Sequence, residues 1–315
     1  MSVAPELGII VPCYNEAEII VQSSEQLVNL LNRLINSNVI SPKSFVGLVD
    51  DHSRDSTWNL ITELTKQESR INAIRLASNR GHQNALLAGL LEFNLKADCL
   101  ISIDADLQDD INVIEAMIGK FIQGNDIVYG VRQKRPTDGF LKKLTAGLFY
   151  RLLKSMKANV IYNHADFRLT GRRVVEELRN FTEINLFLRG IFPLMGFDSA
   201  IVYYDRKERI GGVSKYPFRK MLSLAIDGIT SFSTVPLRLI TLTGFIVFFT
   251  CIFLMGYALV GYLSHKTVAG WLSTVLPFYF LGGIQILCIG IIGEYLGKIY
   301  KEVKRRPRYI IDERI

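Results

Sequence analysis

Two acidic residues at the end of an apolar run are the first candidates for chemistry in this sequence. Residues 100–103 have the character of a buried strand, and Asp104 and Asp106 follow at once. Because side chains alternate along a strand, both carboxylates face the same way and repel each other unless a cation lies between them. Gln108 adds a neutral oxygen that hard divalent ions accept. The pattern indicates a metal site; the alternative is an acidic, solvated start of a helix.

Polar residues also follow other apolar segments of the first half of the chain. Segments 7–12, 45–49, 71–76, 100–103 and 126–130 alternate with helical patterns, which predicts an α/β domain with a mostly parallel sheet. Ligands of such sheets bind outside the carboxyl ends of the strands. The residues expected at those ends are Tyr14, Glu16, Asp50, Asp51, Asp104, Asp106 and Arg132. Their convergence predicts a binding site at this edge.

Two phosphate-binding motifs are missing from the sequence. No G-x-G-x-x-G follows the first predicted strand, and no G-x-x-x-x-G-K-[ST] occurs, which argues against a dinucleotide site and P-loop phosphoryl transfer. An acidic metal site with arginine nearby still suits a phosphorylated ligand. We expect the metal to bridge a diphosphate while Asp50 hydrogen-bonds a base or ribose.

The second half of the chain is suited to a membrane. The protein has 315 residues, 49% of them hydrophobic, and neither 239–263 nor 267–293 contains a charged residue. Each stretch exceeds the roughly 20 residues that a helix needs to cross a bilayer. We therefore expect a two-helix transmembrane hairpin after the α/β domain. The first 30 residues do not resemble a signal peptide.

The distribution of charge predicts the orientation of that hairpin. The net charge is +7, with acids in excess in residues 1–130 and bases in excess beyond them. A basic segment at 298–308 follows the second stretch, whereas His265 and Lys266 are the only basic residues between the two. Positive-inside bias then places both termini in the cytoplasm. The four cysteines contain no C-x-x-C pair, so neither a disulfide nor a metal framework is expected.

Several motifs together resemble family 2 glycosyltransferases with a GT-A fold. They are Val11-Pro12-Cys13-Tyr14-Asn15-Glu16, Asp50-Asp51-His52-Ser53-Arg54-Asp55-Ser56-Thr57, Asp104-Ala105-Asp106-Leu107-Gln108-Asp109, Ala165-Asp166-Phe167-Arg168-Leu169 and Gly212-Val213-Ser214-Lys215-Tyr216. The sequence is similar to the polyprenyl-phosphate glycosyltransferases, in particular bactoprenol glucosyltransferases related to dolichol-phosphate mannose synthases. It departs from their usual pattern at His52 and Ala165, where glycine is common, and at Asp110, where proline is frequent. The first two departures leave the identity of the donor open.

The resemblance implies a role for each motif. The nucleotide sugar would be held by Pro12, Tyr14, Glu16, Asp50, Asp51 and Asp104. Mg²⁺ or Mn²⁺ would be bound by Asp104, Asp106 and Gln108. The acceptor lipid phosphate would be held by Arg132, Arg206, Arg209 and Lys215. Asp166, Asp106 and Arg132 would act in catalysis, with Asp166 either taking a residual proton or orienting the acceptor.

The implied reaction is inverting transfer of a sugar to polyprenyl phosphate. Glucose from UDP-glucose and undecaprenyl phosphate are the expected substrates, at the cytosolic face of the inner membrane. The product would serve later modification of cell-surface glycans such as lipopolysaccharide. Membrane lipids and further copies of the chain, in assemblies up to a tetramer, are the other expected partners, and nucleic acid is not expected.

The domain boundaries expected on this interpretation follow the same order. A GT-A domain occupies 1–212, amphipathic juxtamembrane helices 213–234, two transmembrane helices 235–297 and a basic cytoplasmic tail 298–315. Gly293 and Gly297, four residues apart, would allow close helix contacts.

Other interpretations remain for several residues and for the whole chain. His82 and Gln83 could simply begin a helix, and Arg168, Arg172 and Arg173 are expected on a solvated or membrane-facing side of a helix. A processive polysaccharide synthase would resemble this sequence but would carry a Q-x-x-R-W motif, and neither tryptophan lies in such a setting. A non-catalytic membrane scaffold that retains the fold is the second alternative.

Overall fold

The part of the chain that the structure describes covers the predicted α/β domain and a long C-terminal helix. The computed structural model describes residues 4–133, 164–183, 186–205 and 271–315, and positions 237, 240–247, 249, 250 and 253. By contacts the chain divides into two units, Met1–Ser214 with Pro307–Ile315, and Lys215–Arg306.

The first unit contains an eight-stranded sheet. Its strands are β1 (Leu7–Cys13), β2 (Phe45–Asp50), β3 (Ile71–Leu76), β4 (Cys99–Ser102), β5 (Ile127–Arg132), β6 (His164–Gly171), β7 (Ser199–Tyr204) and β8 (Ile311–Arg314). Their order across the sheet is β7-β5-β6-β4-β1-β2-β3-β8. Strands β3, β2, β1 and β4 are parallel, and β5 is parallel to β7. This mostly parallel α/β sheet confirms the predicted fold class.

Helices cover both faces of the sheet. They are α1 (Ile20–Asn36), α2 (Thr57–Gln67), α3 (His82–Phe93), α4 (Ile114–Ile122), α5 (Arg172–Leu178) and α6 (Leu188–Leu194), with short 3₁₀ helices at Asn94–Lys96 and Ile111–Val113. One core lies under α1, α2 and α4, and a second lies under α3, α5 and α6. Strands β1 and β2 are therefore buried along their whole length, as their continuous apolar sequences require.

The end of β1 differs from the sequence-based expectation. Pro12 lies within β1 instead of ending the strand. Pairing of β1 with β4 reaches only Ile10, so Pro12 has one partner strand and its missing N–H is tolerated.

Three strands were not predicted from the sequence. β6 runs antiparallel between β4 and β5. β7 pairs with β5, and β8 adds antiparallel to β3 from within the segment treated as a basic tail. These strands depend on pairing between distant segments, which a local pattern does not encode.

The second unit contains the helix α7 (Trp271–Val303). Within the described residues, Phe280–Val303 is the single stretch long and apolar enough to cross a membrane. The other predicted span, 239–263, is described at only some positions, and those are helical. The two-helix hairpin is therefore not confirmed, and the predicted juxtamembrane helices at 213–234 lie outside the described residues.

Candidate active site

The predicted site residues that the structure describes gather at the carboxyl edge of the parallel strands. β2 and β5 end there with Asp50 and Arg132 as their last residues, and Tyr14 and Asp104 follow closely after β1 and β4. Because β6 is antiparallel, its first residues lie at the same edge, and this brings Asp166 to Asp104. The Ser102 hydroxyl donates to the Asp166 carbonyl and fastens the two strands at this point.

The loop after β4 presents the paired carboxylates in a strained turn. The Leu107 N–H donates to the Asp104 carbonyl at 3.2 Å, and the Gln108 N–H donates to Asp106 Oδ1 at 3.4 Å. Leu107 has a φ of 44°, which is unusual for a bulky residue, and its buried side chain holds the turn in place. Such strain is common at binding sites, where neighbouring packing maintains it.

The Asp104 carboxyl lies in an environment that favours a cation. Burial raises its pKa, His82 opposes that rise, and the Asp166, Asp109 and Asp106 carboxylates add to it. In the described part of the chain, no group of three or more His, Cys, Asp or Glu residues could hold a metal ion alone. The side-chain oxygens of Asp104, Asp106 and Gln108 are of the kind that Mg²⁺ and Mn²⁺ accept, and their role as metal ligands stays a prediction.

Asp166 lies at the centre of a network of charged and polar side chains. Arg189 on α6 donates to both carboxylate oxygens, from Nε at 3.0 Å and Nη2 at 2.9 Å. The Gln83 amide donates to Asp166 Oδ2 at 3.3 Å, and His82 Nε2 lies 3.6 Å from oxygens of both Asp166 and Asp104. Although burial opposes ionisation, His82, Arg189 and Arg168 hold the pKa of Asp166 well below its usual range.

Two of these neighbours were not expected at a site. His82 and Gln83 do begin helix α3, but they also contact carboxylates of the acidic cluster, which consists of Asp104, Asp106, Asp109 and Asp166. Gly89 allows α3 to lie against the sheet, because a Cβ there would be 2.5 Å from Ile10 Cγ2. Arg189 was missed altogether; its only signal is that it is a single charge in the apolar stretch Phe187-Leu188-Arg189-Gly190-Ile191-Phe192.

The expectation for Arg168 was wrong. It lies on β6 and not on a helix, its side chain is 1% exposed, and its guanidinium stacks 4.0 Å from the Phe192 ring centroid. Its Nη2 is 3.6 Å from Asp166 Oδ1. Arg172 and Arg173 do begin a helix, α5, and pair with Asp98 and Asp126.

The loops after β1 and β2, farther along the same edge of the sheet, are hydrogen-bonded to each other. The Asn15 N–H donates to Ser53 Oγ at 3.0 Å, and the Glu16 N–H donates to Thr57 Oγ1 at 2.9 Å. His52 has a φ of 58°, which explains why the resembled family favours glycine there. Tyr14 stays 40% exposed, so its ring is available to a ligand.

Asp50 and Asp51 are more enclosed than their predicted role suggests. Asp50 is completely buried, accepts a hydrogen bond from the Ser53 N–H at 3.1 Å and lies 3.4 Å from Arg75 Nε. Asp51 accepts from the N–H groups of Arg80 at 2.7 Å and Gly81 at 2.8 Å. Burial raises the pKa of both carboxyls. In this conformation they brace the surrounding loops, and direct contact with a nucleotide stays a prediction.

Arg132 belongs to a half-buried network at the end of β5. Its Nη2 donates to Asp109 Oδ1 at 2.8 Å, and the Tyr204 hydroxyl donates to the same oxygen at 2.7 Å. Asp109 therefore fixes Arg132 beside the acidic cluster. The other predicted phosphate ligands, Arg206, Arg209 and Lys215, lie outside the described residues.

Comparison with known proteins identifies the family of this site. The family model described as glycosyl transferase family 2 matches residues 8–179, which include the loops after β1, β2 and β4. The chain belongs to glycosyl transferase family 2. The resemblance seen in the sequence motifs is thus confirmed.

Relatives of this glycosyltransferase match over nearly its whole length. The uncharacterized glycosyltransferase YkoT of Bacillus subtilis is 51% identical over 98% of this chain and 91% of its own. The bactoprenol glucosyl transferase of Shigella phage SfX is 37% identical over 98% of this chain and 99% of its own. Among solved structures, mannosyl-3-phosphoglycerate synthase from Rubrobacter xylanophilus has a TM-score of 0.46 at 15% identity, covering 71% of each chain. That structural likeness is too low to support an argument about function.

Proposed function

We propose that this glycosyltransferase moves a hexose from a nucleotide sugar to polyprenyl phosphate, with inversion at the anomeric carbon. UDP-glucose and undecaprenyl phosphate are the first candidates for donor and acceptor. The observation that carries the proposal is that the sheet edge bearing Asp104 and Asp106 also bears the ion pairs Arg189–Asp166 and Arg132–Asp109, in a chain that has a membrane-length apolar helix.

The names of the relatives support this choice of substrates. Bactoprenol glucosyl transferases of Shigella phages match 97–98% of this chain at 36–37% identity, so their similarity includes the C-terminal helix as well as the sheet domain. A soluble acceptor would not require the apolar surface of α7, on which Phe280 and Ile286 are largely exposed. A lipid acceptor accounts for both features.

The donor would be held along the edge from β1 to β4. Tyr14 and Glu16 lie in the loop that is fastened to the loop after β2, and they would face the nucleoside. Asp104, Asp106 and Gln108 would hold Mg²⁺ or Mn²⁺ together with the donor diphosphate. When bound, the ion offsets the charge of the departing nucleoside diphosphate.

The acceptor phosphate would be held by cations of this site. Arg132 lies beside the acidic cluster, and Arg206, Arg209 and Lys215 follow β7 in the sequence. Charge-assisted hydrogen bonds from several cations offset the repulsion between an anionic acceptor and the carboxylates. The donor and acceptor would then meet next to the Asp104 carboxylate.

The reaction forms a bond between an acceptor phosphate oxygen and the anomeric carbon while the bond from that carbon to the diphosphate oxygen breaks. The leaving nucleoside diphosphate takes the electron pair. A phosphate monoester has a second pKa of about 6 and is mostly dianionic at neutral pH, so no strong base is needed.

Asp166 fits a positioning role in this reaction better than a proton-accepting one. Its pKa is well below the usual range, because His82 and Arg189 stabilise the carboxylate. A base with such a low pKa holds no useful share of the proton at neutral pH. We therefore assign Asp166 to orienting Arg189 and the acceptor.

The proposal also covers the cellular location of the enzyme, its oligomeric state and the use of its product. The catalytic domain and both termini would lie in the cytoplasm, with a multi-pass anchor in the plasma membrane. Homo-oligomers would form in the bilayer, and the product would serve the modification of cell-surface glycans.

A transfer assay with the purified full-length protein tests the proposed function. Undecaprenyl phosphate is incubated with UDP-glucose, GDP-mannose or UDP-galactose and Mg²⁺, and the lipid product is identified by mass. Asp106→Asn is expected to lose at least about a hundred-fold in turnover, since it removes one of three proposed metal ligands. Asp110→Asn is a matched control, because this nearby acid caps the 3₁₀ helix through the Asn112 N–H at 3.3 Å. Retained turnover of Asp106→Asn, full activity of the wild type in excess chelator, or no lipid product from any donor would refute the proposal.

A further inference from the structure

The strand β8 returns to the sheet after the apolar helix and reaches the side of the proposed nucleotide site. It pairs with β3 so that Glu313 is opposite Arg75, and Arg75 is in turn opposite Asp50 on β2. The three residues form a row of alternating charge across three neighbouring strands. Opposite charges at directly paired positions stabilise such a row.

Arg75 connects the two acids of this row. Its Nη1 donates to Glu313 Oε1 at 3.3 Å, and its Nε lies 3.4 Å from Asp50 Oδ2. The guanidinium carbon lies 5.7 Å from the ring centroid of Trp58. Within the described residues, the buried Nε makes no hydrogen bond, so its contact with Asp50 is an ion pair without hydrogen-bond geometry. Among the described side-chain contacts of Arg75, the hydrogen bond to Glu313 is the directional one.

Asp50 transmits the position of Arg75 to the loops of the site. Its carboxylate accepts a hydrogen bond from the Ser53 N–H, and Ser53 Oγ accepts one from the Asn15 N–H. Asn15 has a φ of 55° and lies next to the exposed Tyr14. Burial of Asp50 disfavours its charged form, and Arg75 offsets part of this effect. The ion pair therefore helps to keep Asp50 ionised, and the Asp50 carboxylate braces both loops.

We propose that Glu313 is a positioning residue for nucleotide-sugar binding, acting through Arg75 on Asp50 and on the loops that follow β1 and β2. This inference rests on the proposed function, since it assigns a nucleotide to that edge. It makes the strand β8, which follows the apolar helix in the chain, part of the donor site.

Arg314 offers a control for a purely structural role of Glu313. The neighbouring Arg314 anchors the same strand through Glu92 on α3, at 2.7 Å between Nε and Oε1, and Arg314 does not contact Arg75 in any described interaction. Reversing the charge of either residue weakens the attachment of β8, but only Glu313→Lys places a cation against Arg75. Arg314→Glu is therefore the matched control.

Binding of UDP with Mg²⁺ to the full-length protein, measured by titration calorimetry, tests the inference. Glu313→Lys is expected to raise the Kd for UDP about five-fold, as the loss of a partly exposed ion pair together with new repulsion allows. Arg314→Glu should leave the Kd within about two-fold. Both variants should lose a similar amount in melting temperature, which separates attachment of the strand from nucleotide binding.

A double-mutant cycle shows whether Glu313 acts through Arg75. In the Arg75→Met background, Glu313→Lys should change the Kd by less than about two-fold, because the residue that transmits its effect is gone. An unchanged five-fold effect in that background, or equal effects of Glu313→Lys and Arg314→Glu, would overturn the inference.

Failure of the proposed function and failure of the inference alone give different results in these binding measurements. If the wild-type protein binds neither UDP nor GDP, both the function and the inference fall. If the wild type binds and Asp50→Ala weakens binding, while Glu313→Lys matches the wild type, only the inference falls.

Discussion

Replacing Arg189 by methionine should destabilise the protein through the buried acid that it leaves behind. Arg189 donates two hydrogen bonds to Asp166, at 2.9 and 3.0 Å, and the Asp166 side chain is only 7% exposed. Removing one partner of a fully buried ion pair typically costs about 3–5 kcal/mol. Arg189 itself is 41% exposed, and Arg168, His82 and Gln83 remain around the carboxylate, so we expect about 2 kcal/mol.

Arg172→Met is the matched control for this variant. Arg172 is also 41% exposed and pairs with Asp98 at 3.2 Å, but Asp98 is itself 48% exposed. Exposed pairs contribute about 0–1 kcal/mol. Since about 1 kcal/mol corresponds to roughly 2–4 °C in a domain of this size, Arg189→Met should lower the melting temperature by about 4–8 °C, and Arg172→Met by at most about 4 °C.

The pH dependence gives a second measurement of the same effect. The pKa of Asp166 is lowered in the folded protein, so its stabilising contribution is present above its unfolded pKa of about 4 and is lost as pH falls towards the lower folded value. The difference in melting temperature between wild type and Arg189→Met should shrink below about pH 4. Scanning fluorimetry of the purified protein measures it. Equal losses in the two arginine variants, or a difference that grows in acid, would refute the reasoning.

Three further predictions concern stability, acceptor binding and topology. Tyr204→Phe removes a hydroxyl that donates to a buried acid at 2.7 Å and should cost about 1–2 kcal/mol, whereas Tyr203→Phe, on a side chain that is 57% exposed, should leave the melting temperature unchanged. Lys215→Ala should raise the KM for lipid phosphate about ten-fold with little change in the KM for the nucleotide sugar, since it removes the proposed charge-assisted contact to phosphate. Initial rates at varied lipid concentration measure the change, and the reverse pattern would contradict the assignment. A cysteine placed at Ser264 should react with an impermeant thiol reagent in intact cells while one at Ser2 should not, and labelling of the latter alone would invert the topology.

The sequence by itself determined the class of the sheet and the edge that carries the site. Apolar runs that end in acid, as at Asp50 and Asp104, encode buried strands and their carboxyl ends because burial and alternation are local properties. Parallel strands then bring those ends together without further information. The motifs were also sufficient to predict the family, which the comparison with known proteins confirmed.

The tertiary structure alone decided which charges surround the carboxylates. Asp166 meets Gln83 because β6 inserts antiparallel beside β4, although 83 residues separate the two in the chain. Arg189 arrives from a short helix, and Glu313 reaches Arg75 across 238 residues. Such contacts depend on strand pairing and packing between distant segments, and a local pattern carries no record of its partner. For the same reason the sequence placed Arg168 on a solvated helix, whereas pairing of β6 buries it beneath the site.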